Sequence, residues 1–156
     1  MEGTRINNIK NMRQPLDFSG CSVGYGMYPT DIDALIEYKN SKYIIFEVKF
    51  RDYEVPCGQK LALQRMVDDF TKAGKQAIAI VCSHQVKDAN KPIILANCNV
   101  REIYYGCERK WRKPNANISV KDVLIDLHLF SADKINGKER ANGRNYAGIP
   151  GEAAAC

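Results

Sequence analysis

Between Tyr28 and Phe50 the chain runs YPTDIDALIEYKNSKYIIFEVKF, and this stretch constrains the fold more than any other. From Tyr43 to Phe50 the residues alternate with the two-residue period of a strand. Ile44, Phe46, Val48 and Phe50 share one face, and Tyr43, Ile45, Glu47 and Lys49 share the other. A half-buried strand would carry only polar residues on its outer face. Here that face mixes Tyr43 and Ile45 with an acid and a base, which predicts a strand partly covered on both sides. Ile32 to Tyr38 predicts a second strand, joined to the first by a polar turn. A carboxylate and an ammonium in so apolar a strand are costly unless they pair or bind something.

The strand Ile32 to Tyr38 brings a further acid, Asp33, while Asp31 stands just outside it after Pro29-Thr30. Oxygen ligands from Asp33 and Glu47 suit Mg²⁺, which keeps several waters and takes few carboxylates from protein. Lys49, on the face of Glu47, can orient or deprotonate a water, or offset charge on a phosphate. Whether the acids meet depends on the turn, because cross-strand partners share a face. A two-residue turn at Asn40-Ser41 would set Asp33 opposite Val48, on the wrong face. A turn of Lys39, Asn40 and Ser41 sets it opposite Glu47, and a five-residue turn sets it opposite Lys49. A bulge in either strand has the same effect. The expectation is an odd turn or a bulge, with the two carboxylates close enough to share one cation.

The pattern PTDID…EVK resembles the signature of the PD-(D/E)xK nuclease superfamily, with small phage and virus-type replication-repair nucleases and archaeal-type Holliday junction resolvases as the nearest-looking members. The resemblance covers about residues 26 to 85, and the rest only by order of elements. It implies an α/β fold: a central mixed β-sheet flanked by helices, the restriction-endonuclease-like αβββαβ core. It also implies a metal-dependent nuclease that hydrolyses DNA phosphodiester bonds in phage or bacterial replication, repair or recombination. Asp33 and Glu47 would bind Mg²⁺ or Mn²⁺, with the backbone carbonyl of Val48 as third ligand. Lys49 would position the attacking water and offset charge at the scissile phosphate. In the replication-repair relatives a glutamine early in the following helix accompanies the acids, which points to Gln59, with Gln64 as second choice. The Asp-x-Asp at 31 and 33 leaves the first ligand open. Junction resolvases of this fold cut two strands symmetrically as dimers, so a homodimer is implied as well.

A chain of 156 residues is expected to form one domain, here 1–132, followed by a loose tail over 133–156. Lys134, Lys138, Arg140 and Arg144 in that tail could add nonspecific contacts to nucleic acid. No apolar run approaches the roughly 20 residues of a membrane span. MEGTRINNIK has no signal-type apolar core. The expected location is therefore the cytoplasm of a bacterial cell or phage-infected host. The cysteines, Cys21, Cys57, Cys82, Cys98, Cys107 and Cys156, form no C-x-x-C pair and the only histidines are His84 and His128, so zinc spacing is absent and reduced thiols are expected. The net charge of +5 mildly favours a polyanionic partner.

Along the chain, residues 1–27 carry a weak helical pattern, and the resemblance suggests an N-terminal helix there. Tyr25 and Tyr28 are stacking surfaces for bases or simply half-buried strand residues. Gln59 to Ala73 predicts a helix with the stripe Leu63, Met66, Val67 and Phe70, stopped by Gly74. Gln59 lies one turn before Leu63 on the packing face, an odd residue for core. Gln76 to Cys82 predicts a buried strand with His84 just beyond it. Pro92 to Ala96 and Val100 to Tyr105 predict two more strands. In ERKWRK, Arg109, Lys110, Arg112 and Lys113 suit phosphates and Trp111 suits base stacking, unless the Trp anchors a solvated turn in the core. Ser119-x-x-Asp122 resembles a capping box opening a helix with the stripe Val120, Val123, Leu124, Leu127 and Phe130. Two other classes share these features: a catalytically idle nucleic-acid-binding module on the same fold, and a phage protein that inhibits a host defence.

Overall fold

The computed structural model describes residues 17–21 and 29–126. The chain divides into two compact units, Met1–Asp31 and Ile32–Cys156. In the first, Phe18 to Cys21 make a tight turn in which the Cys21 N–H donates to the Phe18 carbonyl at 3.0 Å and Gly20 takes a φ of 80°. The expected N-terminal helix, Tyr25, Tyr28, His128, the lower part of the last helix stripe and the tail lie outside the described residues.

The second unit is a five-stranded mixed sheet with two helices, an α/β fold. Its elements are β1 (Ala34–Tyr38), β2 (Lys42–Phe50), α1 (Cys57–Lys72), β3 (Gln76–His84), β4 (Asn99–Tyr105), β5 (Lys110–Arg112) and α2 (Val120–Asp126), with a 3₁₀ turn at Leu95–Asn97. The strands lie in chain order, β1-β2-β3-β4-β5. Only β2 and β3 are parallel, because α1 carries the chain back across the sheet between them. The other neighbours are antiparallel.

Both faces of β2 are covered, as its mixed pattern predicts. Ile44 and Phe46 join Ile78, Ile80, Cys82, Val100 and Ile103 under Val120 and Val123 of α2. Ile45 joins Ala77, Ala79 and Tyr104 under Leu63 and Val67 of α1, with Tyr43, Met66, Phe70 and Trp111 packed around them. Each buried side chain of this size contributes roughly 1.5–3 kcal/mol. Gly74, at φ 76°, ends α1: its N–H donates to the Thr71 carbonyl and that of Lys75 to Phe70, both at 2.9 Å, a paired stop that only a left-handed residue permits. Ser119 and Asp122 cap α2 reciprocally: the Ser119 N–H donates to Asp122 Oδ2 at 3.0 Å and the Asp122 N–H to Ser119 Oγ at 3.2 Å.

Two expectations are corrected. Pro92 to Ala96 is not a strand: it is a loop entering the 3₁₀ turn, with Ile93 and Ile94 exposed, because β4 already fills the place beside β3. Part of ERKWRK is not a turn: Lys110–Arg112 is the edge strand β5, and the turn is Gly106 to Arg109.

At the β4 end a polar network ties α1 to the sheet. The buried Tyr104 hydroxyl donates to Asp68 Oδ1 at 2.8 Å, and Arg109 Nη2 lies 3.5 Å from Asp68 Oδ2. Burial first, and Asp68 second, push the Tyr104 hydroxyl up from 10.0 to about 12. The folded state therefore favours the protonated phenol. That stabilisation is complete below about pH 10 and is lost as pH rises through 12. Tyr104→Phe is expected to cost roughly 1–3 kcal/mol at neutral pH, since Asp68 loses a donor. The gap to wild type should narrow between pH 10 and 12 in urea unfolding. Tyr105, also pushed up to about 12, titrates in both proteins and cancels in the difference.

Candidate active site

The hairpin fixes the site. Ala34 pairs with Phe46 and Tyr38 with Lys42, which leaves Lys39, Asn40 and Ser41 as a three-residue turn. Lys39 and Asn40 are left-handed, at φ 48° and 52°, and Tyr43 Oη donates to Asn40 Oδ1 at 2.9 Å. Ser41 N–H donates to the Tyr38 carbonyl at 3.0 Å. The odd turn puts Asp33 next in register with Glu47. Asp33 does not lie within β1, as expected, but in the bend just before it. Where the ladder stops, its side chain takes over: Asp33 Oδ2 accepts from the Val48 N–H at 2.6 Å. In a strand a residue's N–H and C=O point to the same side. The Val48 carbonyl therefore faces the edge where Asp33 stands.

Glu47 is 1% exposed, on the α1 face of the sheet. Its Oε1 lies 2.6 Å from Lys49 Nζ, and its Oε2 accepts from Gln59 Nε2 at 2.8 Å. Lys49 Nζ also donates to Gln59 Oε1 at 3.2 Å, which closes a three-membered ring. A lone carboxylate this deep would cost several kcal/mol. Two charge-assisted hydrogen bonds offset much of that. Gln59 reaches the ring from the first turn of α1, where its amide oxygen and nitrogen face the cation and the anion respectively. Glu47, Lys49 and Gln59 thus cluster at the C-terminal half of β2, and Asp33 is tied to the backbone of the same half through Val48. Asp31 belongs to the other unit.

The basic stretch does not join them. Trp111 is half-buried: its Nε1 donates to Gln64 at 3.3 Å, its ring centroid lies 5.2 Å from that of Tyr104, and Lys60 Nζ sits 4.6 Å above it. It anchors β5 to α1, and Gln64 is spent on holding it. Arg109 faces Asp68, Arg112 Nε donates to Glu108 at 2.6 Å, and Lys113 lies 3.9 Å from Glu102, while Lys110 is exposed. The ammonium and guanidinium heads stay at the surface.

Sequence reasoning missed Lys60 and Glu102, which are ion-paired, with Glu102 two strands along from Glu47. Glu102 pairs in register with Val81, and Val81 with Glu47. The signal was present, for Glu102 is an acid inside the apolar run Val100 to Tyr105. Beneath the site, burial chiefly, then Cys98 and the charges of Asp33 and Glu47, hold the Cys82 thiol well above its usual range. It stays protonated and serves as packing.

The Asp33 carboxylate, the Glu47 carboxylate and the Val48 carbonyl are oxygen donors on or beside β2. Among the described residues no three of His, Cys, Asp and Glu converge on one point. Nor, among them, is any helix long and apolar enough to cross a membrane. No family model, no curated protein and no solved structure matches this chain.

Proposed function

We propose that this protein is a Mg²⁺- or Mn²⁺-dependent nuclease of the PD-(D/E)xK type that hydrolyses DNA. The observation that carries the reading is the hydrogen bond from the Val48 N–H to Asp33 Oδ2 at 2.6 Å, which ties Asp33 to the strand that bears Glu47 and Lys49. The order β1-β2-α1-β3 supports the ββαβ part of a restriction-endonuclease-like αβββαβ core. An all-oxygen donor set with two carboxylates fits a hard cation that retains waters. Asp33, Glu47 and the Val48 carbonyl would hold it, and when bound it supplies positive charge against the scissile phosphate. Lys49 orients the attacking water and offsets charge that develops on the phosphate oxygens. Gln59 positions Lys49 and Glu47 relative to each other.

The test is cleavage of labelled DNA in Mg²⁺, Mn²⁺ or EDTA, alongside thermal melts. Cleavage is expected only with metal. Mn²⁺ should raise the Tm of wild type by linkage but leave Asp33→Ala/Glu47→Ala unmoved. An equal shift in both, with no cleavage, would mean that the site holds no cation and that the chain is not this nuclease.

A further inference from the structure

Along β3 the residues on the α1 face are Ala77, Ala79, Val81 and Ser83, three apolar side chains and then a hydroxyl. Ser83 is only 8% exposed, and its Oγ makes no hydrogen bond to any described residue. Buried hydroxyls are nearly always partnered, so one that is not calls for a ligand or a solvent molecule. Among the described residues no fully enclosed polar side-chain atom lacks a partner, so this oxygen reaches a surface. That surface is a cavity of about 460 Å³ at the end of the sheet, which Ser83 lines and which has room for ordered solvent.

Register ties the hydroxyl to the ring. Lys49 and Ser83 are Cα partners in the parallel β2–β3 pair. Their side chains therefore leave the same face of neighbouring strands, about 4.8 Å apart at the backbone. An ammonium has three N–H donors. That of Lys49 gives one to Glu47 Oε1 at 2.6 Å and one to Gln59 Oε1 at 3.2 Å. The third meets no acceptor among the described residues, and the side chain is 22% exposed. Gln59 is already engaged with Glu47 and Lys49, and Val81 is apolar. An unused ammonium proton and an unused hydroxyl thus stand side by side. A single water joins two such groups when they lie roughly 5–6 Å apart, twice the length of an ordinary hydrogen bond.

We infer that Lys49 and Ser83 hold one water between them, and that Ser83 is a further residue of the candidate site which orients that water for attack. The two groups have different roles. The ammonium can only donate, so it takes one lone pair of the water oxygen. The hydroxyl accepts one of the water's protons. A water bound to Lys49 alone would turn about that one hydrogen bond. The second bond fixes where the remaining lone pair points, which is what a reacting oxygen needs. Ser83 removes no proton; it is a positioning residue. This rests on the nuclease reading for the role of the water, but not for its position.

The experiment combines crystal structures of wild type and Ser83→Ala in EDTA with thermal melts and cleavage kinetics. Wild type is expected to show one solvent oxygen within about 3.2 Å of both Lys49 Nζ and Ser83 Oγ, and Ser83→Ala to lose it. Ser83→Ala should match or exceed the wild-type Tm, since the hydroxyl it removes has no protein partner. In Mg²⁺ its kcat should fall about ten- to a hundredfold with KM within about twofold of wild type. Ser83→Thr, which keeps the hydroxyl, should recover most of that loss. A lower Tm in Ser83→Ala would assign the hydroxyl to the fold instead, and an unchanged kcat would remove it from the reaction. A map with no oxygen shared by the two groups, or with one that joins Ser83 to Asn99 rather than to Lys49, overturns the inference even if the protein cuts DNA. A shared water in a protein that never cuts would sink the nuclease reading and leave the pair holding a water that attacks nothing.

Discussion

Lys49→Ala is expected to lower metal-dependent DNA cleavage by about 10²–10³-fold, the usual cost of removing one preorganised charge from a transition state. The ammonium lies 2.6 Å from Glu47 Oε1 and 3.2 Å from Gln59 Oε1, so nothing else among the described side chains of the ring can take its place. Two further effects follow from the same contacts. Without metal, the variant should lose a few kcal/mol of stability, toward the roughly 3–5 kcal/mol reported when one partner leaves a buried pair. With metal, it should recover more than wild type does, because Lys49 no longer competes with the cation for Glu47 Oε1. Cleavage rates and Mn²⁺-dependent melts on the same preparations check this. A variant that cuts at the wild-type rate removes Lys49 from the chemistry.

A second large effect, on folding, is expected at Gly106, between β4 and β5. A Cβ built there would stand 2.0 Å from Thr71 Oγ1, 3.0 Å from Val67 Cγ1 and 3.1 Å from Thr71 Cβ. Thr71 cannot swing aside freely, since its Oγ1 donates to the Val67 carbonyl at 2.9 Å. Gly106→Ala must therefore push α1 away from the sheet, at a cost of about 1–3 kcal/mol or more. For a chain of this size that lowers Tm by roughly 2–4 °C per kcal/mol. Adding Thr71→Ala should return part of the loss, a coupling that urea unfolding of the two single variants and the double variant measures. A Gly106→Ala protein as stable as wild type would mean that helix and strand are not packed this closely.

The hairpin was legible because its constraint is arithmetic: alternation assigns faces, and faces plus turn length assign partners. The left-handed Lys39 and Asn40 that make the turn odd leave no such trace in the sequence. Gln59 stood out as a polar residue on an apolar helix face, and it lies in the ring. Asp33 stands just outside β1 rather than within it, because Ile32 continues the apolar alternation although β1 begins only at Ala34, two residues later. Trp111 and the cations around it carried two readings that composition cannot separate. Which one holds depends on Gln64, Tyr104 and Lys60, all far away in the chain. Pro92 to Ala96 misled for the opposite reason. Its residues suit a strand, but the sheet has no vacant position next to β3.

The ring is drawn wholly from the segment between Asp33 and Gln59, a hairpin and the helix that follows it. Contacts of such short separation close with little loss of chain entropy and tend to form early in folding. The other end of the sheet is different. It brings the end of β3 together with Asn99 and Ser119, and it needs the loop after β3 and the approach to α2 in place. Substitutions that slow the docking of β4 and α2 can therefore leave the ring assembled.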